Sequence, residues 1–235
     1  MLRKLLIVFA SGLVIAIVAL SAAWMAGGRE LRDQVASGDV DWTIGGERLG
    51  GPRVTRQFAL ASGARLIMAL PVDLEFRRGD QAGMTVEGPK QAVDRLVWED
   101  GRLSLPGRSH VRDSIKVTIV APEIGDLDLN APADVELRGL NQEQLRLTAR
   151  GAVDLDATGR VRKLWVTSEG AADIDVSELE NEDAVIRVHG VGDVEAAPVN
   201  LADIEVNGAG NITLKKRART ERAQVHGVGS VEHVY

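Results

Sequence analysis

The sequence predicts an all-β protein, a parallel β-helix with coils of about 18–20 residues, preceded by one N-terminal transmembrane or signal helix. Three observations carry this expectation. A short motif (apolar, polar, Gly-x-Gly, small polar, then Val or Ile) occurs in "RVHGVGDVEA" from Arg187, "EVNGAGNITL" from Glu205 and "QVHGVGSVEH" from Gln224. The motif persists towards the N-terminus in degenerate form at a nearly constant stride. Aromatic residues make up only 3% of a chain that is 45% apolar. The core must then be built from Val, Leu, Ile and Ala, a mixture that suits strands.

Residues 1–28 are expected to lie outside the fold. Met1–Lys4 is basic, and Leu5–Ala26 runs for 22 residues without a charge, enough to cross a hydrocarbon core of about 30 Å as a helix. Arg3 and Lys4 on the leading flank place that end in the cytoplasm and the body outside it. Two readings compete: an uncleaved inner-membrane anchor facing the periplasm, and a signal peptide cut after "SAA". The chain has no cysteine, which excludes a lipid-modified anchor, disulfides and thiolate chemistry. Residues 29–52 are polar and rich in glycine and read as a flexible linker.

The body, 53–235, divides into a less regular half, 53–120, and a regular half, 121–235. In the first half "RLIMAL" and "VDLEFRRGD" are strand-like and flank Pro71. Lys90–Leu96 is a short helical candidate, and Asp100-Gly101 between alternating segments signals a hairpin. This half reads as the opening coils of the solenoid, with a hairpin covering its N-terminal end.

In the second half the small polar position of the motif falls at Asp134, Asp154, Asp173, Asp193, Asn211 and Ser230, spaced by 20, 19, 20, 18 and 19. Segments on both sides of it alternate with period two, the mark of half-buried strands. Stacking the repeats yields three apolar columns. The first is Leu127, Leu147, Val166, Ile186, Ile204. The second is Leu129, Ala149, Ser168, Val188, Val206, Val225. The third is Val135, Leu155, Ile174, Val194, Ile212, Val231. Gly151, Gly170, Gly190, Gly208 and Gly227 mark the corner between two strands, with Gly192, Gly210 and Gly229 as the second glycine in the last three coils. The expected reason is a positive φ that side chains forbid. No helix follows the glycines, so this is no dinucleotide fingerprint, and the stride is twice that of a calcium-binding nonapeptide roll.

The order "VDLEFRRGDQAGMTVEGPKQAVDRL", "DGRLSL" and then the Gly-x-Gly-[Asp/Asn/Ser]-[Val/Ile] corners resembles the bacterial head-GIN domain family, also called autotransporter adhesins, from about Arg53 to Tyr235. The resemblance implies an exported, right-handed β-helix and no catalytic residues. The naming tripeptide Gly-Ile-Asn itself is missing; its nearest strings are Gly210–Ile212 and Gly192–Val194.

The chain carries a formal charge of −6, and the two basic residues of the first 28 make the remainder more acidic still. That balance and the scarcity of aromatics exclude nucleic-acid binding. Acids line the outer side of the strand after the corner: Asp134, Asp154, Asp173 and Asp193, then Glu136, Asp156, Asp175, Glu195 and Glu232 two residues on. The first reading is a solvated, anti-aggregation face. Asp134, Asp154, Asp173 and Asp193 are the candidates for a divalent-cation site, and paired carboxylates are the candidates for glycan hydrolysis. His189 and His226 fall two coils apart, and no nucleophile elbow or zinc motif is present. Trp165 and Val185 share an outward position on adjacent coils, a candidate partner surface. In the last coil His233 stands where the others place an apolar residue, which leaves an edge available for self-association. The sequence therefore points to a non-catalytic, adhesin-like envelope module that binds protein or glycan and needs no cofactor. The alternatives are an envelope polysaccharide-active enzyme and a structural scaffold.

Overall fold

The computed structural model of the protein describes residues 47–107, 109–111 and 115–235. The N-terminal segment 1–28, read above as an anchor or signal helix, lies outside the described residues, as does most of the linker. Among the described residues no helix is long and apolar enough to cross a membrane.

The regular half is a parallel solenoid with the expected stride. Its coils are carried by β10 (Asp126–Leu129), β11 (Ala133–Ala149), β12 (Ala152–Ser168), β13 (Ala171–Val188), β14 (Val191–Val206), β15 (Ala209–Leu214), β16 (Thr220–Val225) and β17 (Val228–His233). Strands of 16–18 residues look too long for a coil, but β11 to β14 each bend midway. The pairing slips between Leu137 and Leu140 and again between Asp156 and Gly159. These bulges fold one strand across two sides of the coil. Gly139 and Gly159 sit at this bend with φ of 70° and 123°, a left-handed backbone that only glycine adopts cheaply.

All three predicted columns are in register. Leu127 pairs with Leu147, Leu147 with Val166, Val166 with Ile186 and Ile186 with Ile204. All five are buried. The column through Val135, Leu155, Ile174, Val194 and Ile212 is equally closed to solvent. Each coil therefore buries its apolar face only against its neighbours, as a repeat architecture must. In the last coil Val225 is 39% exposed because no further coil covers it among the described residues. His233 pairs in register with Leu214, as the sequence implied, and sits 3.0 Å from Glu221.

The first half joins this stack out of chain order. Leu66–Met68 (β3) pairs with β10, and Val72–Arg78 (β4) pairs with β11, so that Asp73 lies beside Asp134. On their other sides β3 meets Arg102–Ser104 (β7) and β4 meets Ile115–Ala121 (β9). The coil at 66–78 is thus sandwiched between a coil that comes later, at 102–121, and the regular repeats. Below β9 the direction reverses. Gly83–Pro89 (β5) runs antiparallel to β9, and Arg53–Ala59 (β2) runs antiparallel to β5. Val97–Glu99 (β6) folds back on β7 through Asp100 and Gly101, both at positive φ. That is the predicted hairpin, with the turn geometry that suits strand twist. The predicted helix is a single turn, Lys90–Val93 (α1). These antiparallel pieces close the N-terminal end of the stack, as an exposed parallel edge requires.

One boundary moves. Glu47–Leu49 (β1), assigned above to the linker, pairs parallel with Ser109–Val111 (β8), and Leu49 is fully buried. The fold starts a few residues earlier than composition indicated, because a single apolar residue among glycines gives no periodicity to read.

Candidate functional site

The corner glycines are the first sequence-predicted residues to place, and their reason differs from the expected one. Among Gly151, Gly170, Gly190, Gly208 and Gly227 none has a positive φ; of the eight motif glycines only Gly192 does, at 146°. What requires glycine is the close stacking of corners. A Cβ on Gly190 would lie well under 3.0 Å from the carbonyl oxygen of Gly170, and one on Gly208 the same from Gly190. The same overlap continues from Gly227 to Gly208, Gly210 to Gly192 and Gly229 to Gly210. The backbone groups hold this contact with hydrogen bonds such as Val191 N–H to Gly170 O (2.9 Å) and Ala209 N–H to Gly190 O (3.0 Å). The glycines are structural, and no ligand is needed to explain them.

Beside this corner runs an open groove of about 750 Å³ across five coils. Its floor is Pro71, Pro132, Ala152, Ala171 and Val191, with Val72, Ala133, Val153, Ala172 and Gly192 next to them. Its wall is Asp73, Asp134, Asp154, Asp173 and Asp193. These five aspartates are direct register partners from coil to coil, so they stand about 4.8 Å apart in single file. Asp73 is the member that the sequence reading missed. Asp73-Leu74-Glu75 repeats Asp134-Val135-Glu136, and that signal was available without any glycine.

The stripe is electrostatically unlike the bend side of the coils, where arginines face glutamates. On other faces several acids are matched across coils: Arg160 with Glu180 (2.6 Å), Arg162 with Glu143 (2.6 Å), Arg150 with Glu169 (2.8 Å), and Arg187 with Asp203 (2.8 Å). The outer acids two residues on are partly matched as well, Glu75 by Arg77 and Lys116, Glu136 by Arg138, and Glu195 by Lys215. Among the described residues no Lys or Arg forms an ion pair with Asp73, Asp134, Asp154 or Asp173. Asp193 accepts hydrogen bonds from the backbone and side chain of Asn211 (2.9 and 3.1 Å).

Desolvation, and then the neighbouring carboxylates, hold Asp156 and Asp173 above the ordinary aspartate value. Glu75, hydrogen-bonded by Arg77, and Glu180, hydrogen-bonded by Arg160, are held below the ordinary 4.5. A raised carboxyl pKa favours the protonated folded chain, so stability rises as the pH falls from neutral through the raised aspartate values. A lowered one contributes stability above 4.5 that is lost as the pH falls through the folded value. The melting temperature is therefore expected to climb as the pH falls from 7 through the raised aspartate values, and to fall once the pH is below 4.5 and the lowered glutamates protonate. The Asp156→Asn/Asp173→Asn variant is expected to melt higher at pH 7 and to lose the climb. Differential scanning calorimetry across that range checks both. A parent that is most stable at pH 7, or a double variant less stable than the parent there, would contradict the repulsion described.

Among the described residues no three acids or histidines converge to hold a metal ion. Asp134, Asp154, Asp173 and Asp193 form a line, and a line does not wrap a cation that takes six to eight oxygens. No aromatic residue or histidine lines the groove, so the stacking subsites of a glycan-cleaving cleft are absent from it. His189 and His226 are kept apart by Asn207, whose amide lies 3.3 Å from His189 Nδ1. A second groove, about 610 Å³, lies on the bend side of the coils, lined by the Arg160–Glu180 and Arg162–Glu143 pairs with Asn141, Gln142 and Lys216. Trp165 and Val185 are register neighbours as expected. Both are half-buried, and the Arg146 guanidinium lies 5.0 Å from the Trp165 ring centre, so the spot is smaller than its residue types suggested.

Comparison with known proteins gives the following. The family model described as "Putative auto-transporter adhesin, head GIN domain" matches residues 65–218. The crystal structure of a putative adhesin from Bacteroides fragilis is similar over 80% of this chain and 100% of that one, with a TM-score of 0.66 and 19% identity. A putative adhesin from Parabacteroides merdae covers 80% of this chain and 100% of its own at a TM-score of 0.49 and 13% identity. A putative lipid binding protein from Parabacteroides distasonis covers 80% and 99% at 0.49 and 16%. At 19% identity and a TM-score of 0.66 the likeness to the Bacteroides fragilis structure is one of fold. No curated protein matches the sequence.

Proposed function

We propose that this chain, which belongs to the head GIN domain family, is a non-catalytic, adhesin-like module of the cell envelope. In this reading its body is a right-handed parallel β-helix outside the cytoplasm, held by the N-terminal apolar segment or released after that segment is cut. The observation that carries the reading is a ladder surface on which, among the described residues, the acids stand in file and no three acids or histidines converge. The groove beside the glycine corner offers small apolar residues and one file of like-charged carboxylates. The acids with raised pKa values, Asp156 and Asp173, belong to that stripe and its neighbour; desolvation and then adjacent carboxylates shift both the same way, so they do not split into an acid and a base. Function would then reside in a face that is presented, on a scaffold whose coils lock each other in place.

The absence of cysteine makes the topology easy to test. Val199 is 46% exposed, and a Val199→Cys variant of the full chain supplies a single thiol. A membrane-impermeant maleimide is expected to label it in spheroplasts or in the medium, without lysis. Purified full chain mixed with cell-wall glycan is expected to be retained on surfaces bearing envelope material and to release no new reducing ends. Labelling only after lysis would overturn the envelope placement. Product release lost on substitution of the ladder acids would overturn the non-catalytic reading.

A further inference from the structure

We propose that the groove beside the glycine corner is a docking site for an extended, Lys- and Arg-rich segment of a partner protein. The inference rests on the adhesin-like reading and names the chemistry of the partner. It starts from an apolar groove, since Pro71, Pro132, Ala152, Ala171 and Val191 are all solvent-facing and carry no hydrogen-bonding side chain. Val191 is 60% exposed. A glycan would find few hydroxyl partners on that floor.

The charge of the wall decides the occupant. Asp73, Asp134, Asp154 and Asp173 have no basic partner among the described residues, whereas Glu143, Glu169 and Glu180 are each paired with an arginine of an adjacent coil. Such a file is self-repelling until a cation arrives. A cationic side chain fits both features at once. Lys and Arg lay aliphatic stems along apolar surface and keep their charged heads in a polar layer. Here the stems would lie on the Pro/Ala/Val floor and the heads would meet the aspartates. The five aspartates span about 19 Å, the length of about six residues of extended chain. A metal ion does not meet these demands, because the carboxylates stand in line and do not converge.

The test uses the purified full chain in an uncharged detergent and an end-capped (Lys-Ala)4 peptide, followed by fluorescence anisotropy at about 20 and about 150 mM salt. Binding is expected, and it is expected to weaken with salt. Asp134→Asn/Asp154→Asn/Asp173→Asn should bind at least about tenfold more weakly. Glu143→Gln/Glu169→Gln/Glu180→Gln removes the same charge from other sides and should bind within about twofold of the parent. Ala171→Phe fills the floor, keeps every charge and should bind at least about fivefold more weakly. Circular dichroism checks that each variant is folded. Equal losses in the two triple variants, undiminished binding by Ala171→Phe, or no binding by the parent at low salt would each overturn the proposal. So would tighter binding of a cell-wall oligosaccharide in the same groove, blocked by Ala171→Phe. Retention of the parent on envelope material without peptide binding would sink the groove and leave the adhesin-like reading standing.

Discussion

Gly190→Val is expected to lower stability by more than about 3 kcal/mol, and Gly190→Ala by nearly as much. The site is overpacked by backbone, which cannot rotate away. The new Cβ meets the Gly170 carbonyl, and relieving that contact means prising two coils apart and losing the hydrogen bond from Val191 N–H to Gly170 O. Gly139 is the control. It has a φ of 70° but nothing within 4 Å of its would-be Cβ, so Gly139→Ala meets only left-handed strain, about 1–2 kcal/mol. Urea unfolding of the three variants separates the two causes. If Gly190→Ala costs no more than Gly139→Ala, corner stacking is not what selects glycine.

The second large effect is expected at Phe76, whose truncation to Ala should cost about 3–5 kcal/mol. Phe76 heads the fully buried side chains by volume and lies in the coil inserted out of order. Its register partners are Leu137 in β11 and Ile119 in β9. A cavity there loosens the junction between the capping strands and the regular repeats, where the chain must be held against its own sequence order. Ile212→Ala removes a smaller buried side chain near the far end and should cost less, about 2–4 kcal/mol. A Phe76→Ala variant that unfolds at the parent's urea midpoint would mean that the 66–78 coil does not bridge the two halves.

The repeats were legible because two periods coincide in them, alternation along the strand and a stride of 18–20 between coils. Residues such as Leu147, Val166 and Ile186 could be set in one column from the sequence alone. The coil at 66–78 was harder. Its partner strand begins 61 residues later, at Ala133, so it leaves no stride, and only the repetition of Asp-Leu-Glu in Asp-Val-Glu links them. The glycines were found for the wrong reason, since a sequence shows that Cβ is unwelcome but not whether a torsion angle or a neighbouring carbonyl rejects it. The bend at Gly139 and Gly159 escaped notice because bulges of different length blur its spacing. The groove was half visible. Four aspartates were in plain sight, but Pro132, Ala152 and Ala171 belong to no apolar column and carry no charge, and only the register lines them up into a floor.

The account stands on one coil per 18–20 residues, in parallel register. In a chain without cysteine a disulfide can measure that directly. Asp154 and Asp173 are exposed register partners on adjacent coils, about 4.8 Å apart and within bridging range of about 4.4–6.8 Å. Asp154 and Asp193 are two coils apart, at about twice that distance. Mild oxidation of the full chain is expected to close the Asp154→Cys/Asp173→Cys pair within one molecule and to leave the Asp154→Cys/Asp193→Cys pair open. Closure of the second pair, or of neither, would contradict the solenoid on which the corner, the core columns and the groove all depend.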